Sequence, residues 1–254
     1  MRATVTLLVL ALLALVPATS AAAEPTLPPT GTDLDYQLGG VAAVPDHVGI
    51  VVRDRTADPA PGAYNVCYVN AFQTQPDAPR FWKKRRALLL RDGDGIVTDG
   101  AWGEWLLDIR TPRKRERLAR IVGRWIAGCA RDGFDAVELD NLDSFTRSHR
   151  LVRPRHAGAY ARLLTARAHR HDLAVAQKNR AGWDGTRVGF DFAVAEECGR
   201  YDECGRYVAT YGDHVLVIEY REVDFDRTCA AFGDRLAVVL RDRDVTPGGV
   251  RRWC

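Results

Sequence analysis

No GxGxxG and no GxxxxGKS/T occurs in the 254 residues. Gly39-Gly40 is not such a turn, so a doubly wound nucleotide-binding sheet has no phosphate loop to organise it. There is no GxSxG elbow, which leaves acyl transfer by a serine triad without its nucleophile. There is no HExxH, and histidine is scarce: six in all, with only His149 and His156 near the stretch that carries most carboxylates. There is no CxxC either. Cys198 and Cys204 are too far apart for a zinc knuckle and have no histidine pair nearby, so no metal is expected. A strong excess of one charge is also missing. Lys plus Arg number 36 and Asp plus Glu 33, a formal net charge of +3, which argues against nucleic acid as a partner. Lys83-Lys84-Arg85-Arg86 and Arg113-Lys114-Arg115 lie in or beside helix-like segments with acids nearby and read as solvated faces. Beyond residues 5–16 no stretch is apolar enough to span a bilayer. No internal repeat or low-complexity tract occurs.

The chain begins with Met1-Arg2, an apolar run over residues 5–16, and Ala21-Ala22-Ala23 before Glu24. Residues 1–23 read as a signal peptide and predict a secreted or extracytoplasmic protein without a stable membrane anchor. Residues 24–34, rich in Pro and Thr, read as an N-terminal tail. Residues 35–254 remain as one domain. Cys67, Cys129, Cys198, Cys204, Cys229 and Cys254 make an even set, which in an exported chain points to disulfides.

Short apolar runs recur at strand spacing: 35–38, 48–52, 65–69, 105–109, 136–139, 173–176, 190–194, 215–218 and 236–240. Pro112 opens a helix with an apolar stripe at Leu118, Ile121, Val122, Trp125 and Ile126. A second helix runs from about Pro154 to His171. Near-continuous apolar strands alternating with helices mean a parallel sheet covered by helices. The fold class is therefore α/β, a single-domain (β/α)8 TIM barrel. Eight strands are counted if either 35–38 or 48–52 opens the series.

Most of these runs end in polar groups. In a (β/α)8 barrel, such groups gather over the C-terminal face and build the active site. They are Asp108, Asp140, Asn141, Asp143, Lys178, Asn179, Glu196, Glu197, Glu219 and Tyr220. Two carboxylates from different strands suit glycoside cleavage, one as acid and the other as nucleophile or base. Trp82, Trp102, Trp105 and Trp183 sit in or next to loops at that face; they are read either as platforms for sugar rings or as simple core or loop packing, and Trp105 as packing.

The chain resembles glycoside hydrolase family 114, the endo-α-1,4-polygalactosaminidase type. The resemblance is carried by Tyr36-Gln37-Leu38, Cys67-Tyr68, Gly103-Glu104-Trp105-Leu106-Leu107-Asp108-Ile109 and Gly133-Phe134-Asp135-Ala136-Val137-Glu138-Leu139-Asp140-Asn141-Leu142-Asp143. Lys178-Asn179, Phe192-Ala193-Val194-Ala195-Glu196-Glu197-Cys198 with Cys204, and Glu219-Tyr220 complete it. The resemblance spans residues 35–243. It implies a barrel that cuts α-linked polymers containing galactosamine, with a polysaccharide substrate and no cofactor. The family's acidic residues fall here on Asp140 and Glu196. By analogy with barrel glycosidases acting on α-galactosides, Asp140 is the expected nucleophile and Glu196 the general acid/base. Asp108, Asn141, Asp143, Lys178, Asn179, Glu219 and Tyr220 are expected substrate contacts.

A lysine beside carboxylates favours their charged forms. Loss of Lys178 is therefore expected to lower turnover with the fold intact. Glu197 would point to the opposite face if the strand continued through it. It stands where the family commonly has glutamine, and the segment after Cys67-Tyr68 lacks the family's usual glycine and acid. A barrel that only binds polysaccharide, or one that cuts another linkage, remains open. The pairing expected is Cys198–Cys204, stiffening the loop after Glu196, Cys229–Cys254 at the C-terminus, and Cys67–Cys129. A monomer is expected.

Overall fold

The computed structural model describes residues 24–75 and 78–254; the signal peptide read over residues 1–23 lies outside them. Eight strands pair in parallel in chain order: β1 Asp33–Gln37, β2 Val48–Asp54, β3 Tyr64–Asn70, β4 Ala136–Asp140, β5 Ala174–Lys178, β6 Phe192–Glu196, β7 Val215–Glu219 and β8 Ala237–Arg241. A short strand, β9 Arg251–Trp253, runs antiparallel to β8. Both β8 and β9 lie against β1 and nearly close the barrel. Trp253 Nε1 donates to the Leu34 carbonyl at 2.7 Å across the seam. Buried Asp35 of β1 takes Arg251 at 2.8 Å, and Arg241 of β8 stands 3.6 Å away.

Side chains alternate between the two faces of each strand. Leu34, Ile50, Val52, Val66, Ala136, Ala174, Ala176, Phe192, Val194, Leu216, Ile218 and Val239 fill the barrel interior. The intervening residues, such as Val137, Leu139, Val175 and Val217, face the outer layer with the helices. A short helix, α1 Pro79–Lys83, opens the long excursion between β3 and β4. Helix α2, Pro112–Asp132, starts where Thr111 caps Lys114 N, and ends at Gly133 with φ 92°. Gly133 takes this left-handed turn without the steric cost a Cβ would bring. The buried stripe of α2 is Leu118, Ile121, Val122, Ile126 and Cys129, and each large apolar side chain so buried contributes about 1.5–3 kcal/mol. Helix α3, Pro154–His169, packs beside α2, and α4, Cys204–Tyr211, and α5, Glu222–Phe232, follow β6 and β7.

The three disulfides are Cys67–Cys129, Cys198–Cys204 and Cys229–Cys254, the pairs expected above. The first ties α2 to β3, and the last ties α5 to the chain end beyond β9.

One expected strand is not in the barrel. Glu104–Trp105 pairs with Thr98–Asp99 in a separate two-stranded ribbon, and Leu107 makes only an isolated bridge to Leu89. Leu106, Leu107 and Ile109 are buried within the excursion between β3 and β4. Apolar periodicity cannot tell a barrel strand from a short buried run of this kind. Both early candidates, at residues 33–37 and 48–54, are barrel strands instead, and no helix separates β1, β2 and β3. The tail over residues 24–32 is docked, not free: Tyr64 Oη donates to the Thr26 carbonyl at 2.7 Å, and His214 contacts the Pro28 carbonyl at 3.1 Å.

Candidate active site

Alternation along β4 aims Ala136, Glu138 and Asp140 into the barrel, and along β5 it aims Ala176 and Lys178 the same way. The alanines leave room for the charged ends above them. Each of β4, β5 and β6 stops at its last inward residue. The next residue in each case, Asn141, Asn179 and Glu197, has positive φ: 63°, 53° and 56°. The chain therefore turns sharply and leaves Asp140, Lys178 and Glu196 at the C-terminal mouth. Asparagine tolerates this conformation well; glutamate does so at a cost. Glu197 is held there by Arg200 at 2.6 Å and Arg243 at 3.0 Å.

Lys178 is the centre of the cluster. It is 3% exposed, and its Nζ lies 2.6 Å from Glu138 Oε1, 3.3 Å from Asp140 Oδ1 and 3.4 Å from Glu196 Oε2. Tyr36 Oη donates to Glu138 Oε1 at 2.8 Å and accepts from Lys178 at 2.9 Å. Three carboxylates against one ammonium hold Lys178 protonated despite its burial. Burial pushes Glu138 above the usual range, and Lys178 partly offsets it.

Asp140 Oδ2 accepts from Tyr68 Oη at 2.6 Å and from Asn141 Nδ2 at 3.2 Å. Burial alone would raise its pKa. The Lys178 charge and the Tyr68 hydrogen bond outweigh that and hold Asp140 below the ordinary aspartate value. Glu196 Oε1 accepts from Tyr220 Oη, and Oε2 accepts from Asn179 Nδ2 at 3.2 Å. Asn179 Oδ1 in turn accepts the Glu196 backbone N–H at 2.9 Å, so one side chain fixes both ends of this residue. Asp140 and Glu196 are part-exposed, at 17% and 26%, whereas Lys178 and Glu138 below them are sealed.

Of the other expected contacts, Asn141, Asn179 and Tyr220 lie at the mouth. Asp143 stands beside it, paired with Arg147 at 2.9 Å. Asp108 is elsewhere. It is 1% exposed and anchors the start of α2 by binding Arg110 at 2.8 Å and Lys114 at 2.5 Å. Glu219 lies under the loop after β6. Its Oε1 accepts the Gly199 N–H at 2.7 Å and faces Thr228 Oγ1 at 3.4 Å. A Cβ on Gly199 would fall 1.8 Å from Thr228 Oγ1, so only glycine fits over this support. Cys198 and Cys204 crowd the same spot, but both sulfurs are spent in their disulfide and offer no thiolate to a metal.

Residues not proposed as site residues from the sequence complete the site. Tyr36, Tyr68 and Glu138 are all on barrel strands and lie in segments that carry the family resemblance, and Glu138 stands two residues before Asp140 on the same face. Glu104 lies in another such segment; Asn70 carried no signal. Asn70 Nδ2 donates to Glu104 Oε1 at 2.9 Å, and Asn141 Nδ2 contacts Glu104 Oε2 at 3.3 Å. The Glu104–Trp105 ribbon strand delivers that carboxylate from outside the barrel. Burial pushes Glu104 up to about 7, with the Asn70 hydrogen bond opposing and Asp140 adding to the rise.

Glu219 is likewise pushed by burial from 4.5 to about 7. The folded state holds its proton at pH values where the unfolded chain has released it. Its contribution to stability is therefore complete below 4.5 and lost as pH rises through 7. Glu219→Gln should flatten the fall in denaturant midpoint between about pH 5 and about pH 8 relative to the parent. Parallel curves for the two proteins would show that Glu219 does not titrate in this window.

The model of glycoside-hydrolase family GH114 matches residues 15–254. No curated protein sequence matches the chain. Among solved structures, Aspergillus fumigatus Ega3, determined in complex with galactosamine, aligns with a TM-score of 0.73 and 19% identity, over 94% of this chain and 100% of that one. The glycoside hydrolase domain of PelA from Pseudomonas aeruginosa aligns at 0.57 and 16% identity, over 86% and 97%. At these identities the likeness is one of fold, and it covers nearly the whole of each chain. With the family match running from residue 15 to the last residue, the chain belongs to glycoside-hydrolase family GH114 and is a glycoside hydrolase.

Proposed function

We propose that the protein is an exported hydrolase of an α-linked, galactosamine-containing polysaccharide, with Asp140 as nucleophile and Glu196 as general acid/base. The observation that carries this reading is the single ammonium of Lys178 held between the two carboxylates. The two oxygens it contacts can be no farther apart than its two contact distances combined, under about 7 Å. That bound accommodates a retaining pair, whose carboxyl groups stand roughly 5–5.5 Å apart, and reaches only the lower edge of the range of about 6.5–9.5 Å for an inverting pair. In this reading Asp140, kept ionised by Lys178 and Tyr68, attacks the anomeric carbon. Glu196 gives its proton to the leaving oxygen and then takes one from the water that releases the sugar. Asn141, Asn179 and Tyr220 orient the pair.

Galactosamine fits the charge of the mouth: the carboxyl groups of Asp140 and Glu196 are part-exposed there, and Asp140 is held ionised, so a protonated sugar amine has an anionic partner within reach. The ligand named for Ega3 supports the same class. Export is supported by the three disulfides, which persist in oxidising compartments. No helix among the described residues is long and apolar enough to cross a membrane. A monomer is part of this reading.

The test is release of new reducing ends from a panel of α- and β-linked polymers with free or acetylated amines, with the anomeric form of the first product read by proton NMR. Cleavage of α-1,4-linked galactosamine with the α-anomer released first is expected. Cleavage only of another linkage would reassign the substrate, and binding without any cleavage across the panel would favour a barrel that serves as a polysaccharide receptor.

A further inference from the structure

A groove of about 540 Å³ lies on the outer wall between α3 and the segment that follows β5. Arg155, Gly158, Ala159 and Arg162 line it from α3. Their spacing of three and four residues puts them on one face of the helix. The small pair makes a floor, and an arginine stands at each end of it. Arg180, Trp183 and Arg187 line the opposite wall. Trp183 reaches the floor from that wall: a Cβ on Gly158 would touch the edge of its ring at 3.5 Å.

The groove is strongly cationic. Its lone acid, Asp184, is already occupied by Thr186 and by Arg187 at 2.9 Å. Arg155, Arg162 and Arg187 are all solvent-exposed, with no other carboxylate lining the groove. Arg180 is half-buried and is built in from both sides. Its guanidinium stacks on Trp183 at 3.8 Å and lies over Phe145 at 5.2 Å. Its Nη1 is buried without a hydrogen-bond partner. Arg180 is also the link to the mouth, because it follows Asn179, which holds Glu196.

We propose that this groove is a binding arm for a carboxylated polysaccharide, one that carries uronic acids, and that it runs into the active-site mouth at Arg180. Planar guanidinium forks match carboxylates bidentately. A chain of formal net charge only +3 has no general attraction for polyanions, so the preference rests on this local arrangement. The molecule then has two recognition zones of opposite sign, an acidic mouth for amino sugar and a basic arm for acidic sugar. The inference does not depend on which linkage is cut, because its readout is binding.

The full chain is to be titrated with oligogalacturonate, with size-matched sulfated oligosaccharide, and with single-stranded DNA. Arg155→Gln/Arg162→Gln/Arg187→Gln is the test variant, and Lys83→Gln/Lys84→Gln, in a basic patch elsewhere, is the control. Both sets change exposed residues, and glutamine keeps helix propensity. Oligogalacturonate is expected to bind the parent, the control to bind equally well, and the test variant to bind roughly tenfold or more weakly. No binding by the parent overturns the proposal, as does an equal loss in the control. Sulfated oligosaccharide or DNA bound as tightly as oligogalacturonate also overturns it, by showing generic attraction to polyanions.

Discussion

Asp140→Asn and Glu196→Gln are each expected to lower kcat on an α-1,4-linked galactosamine polymer by at least about a thousandfold. Both changes are nearly isosteric and leave most of the hydrogen-bond partners in place. In Asp140→Asn, Tyr68 can still donate to the side-chain amide oxygen that replaces the carboxylate; what disappears is the charge that attacks carbon. In Glu196→Gln the proton for the leaving oxygen disappears instead. Glu197→Gln is the internal control. Its carboxylate is tied to Arg200 and Arg243. Its activity should stay within about tenfold of the parent, because glutamine keeps the shape of the side chain and its two arginine partners are open to water. Steady-state kinetics on the three variants, with thermal melts to confirm folding, decide the matter. Near-normal turnover by either of the first two variants, or a loss confined to the third, would remove the assignment.

Lys178→Met should be the most damaging single change to stability, at about 3–5 kcal/mol. The sequence led to the expectation that the fold would survive loss of this lysine. The structure supplies the reason to expect otherwise. Glu138 is fully buried, and Lys178 at 2.6 Å is its only cationic partner among the described residues. Tyr36 alone would then face a buried carboxylate, and Glu138 Oε2 already lacks a partner. Removing one member of a buried pair costs far more than removing both. Lys178→Met/Glu138→Gln should therefore recover most of the lost stability. It should not recover turnover, because Asp140 and Glu196 still lack the ammonium between them. Urea denaturation of the parent, the single variant and the double variant gives the coupling directly. Equal stability of the single variant and the parent would mean that Glu138 simply takes up a proton at little cost.

Much of this protein is set locally and can be read from its residues alone. Alternation of side chains puts Asp140 and Glu196 at strand ends, because β4 and β6 are short apolar runs that stop in acids. The start of α2 is written in Thr111-Pro112, and its end in Gly133. The cysteines after residue 23 form three disulfides, two of them between residues far apart in the chain and near in space. These features depend on backbone chemistry within a few residues, or on a closed set of reactive partners.

Tertiary structure decided the rest, because it depends on what each group meets across the fold. Asp108 and Asp140 both follow apolar runs, yet Asp108 meets Arg110 and Lys114 at the start of α2 and never reaches the mouth. Glu219 ends a barrel strand as Glu196 does, but the Gly199 N–H lies over it and makes it a support. The run at 105–109 has the apolarity of a strand and is buried outside the barrel, while Glu104 beside it reaches the site through Asn70 and Asn141. Glu138 and Lys178 are separated by 40 residues. Only the register of β4 against β5 brings them together, sealed from water.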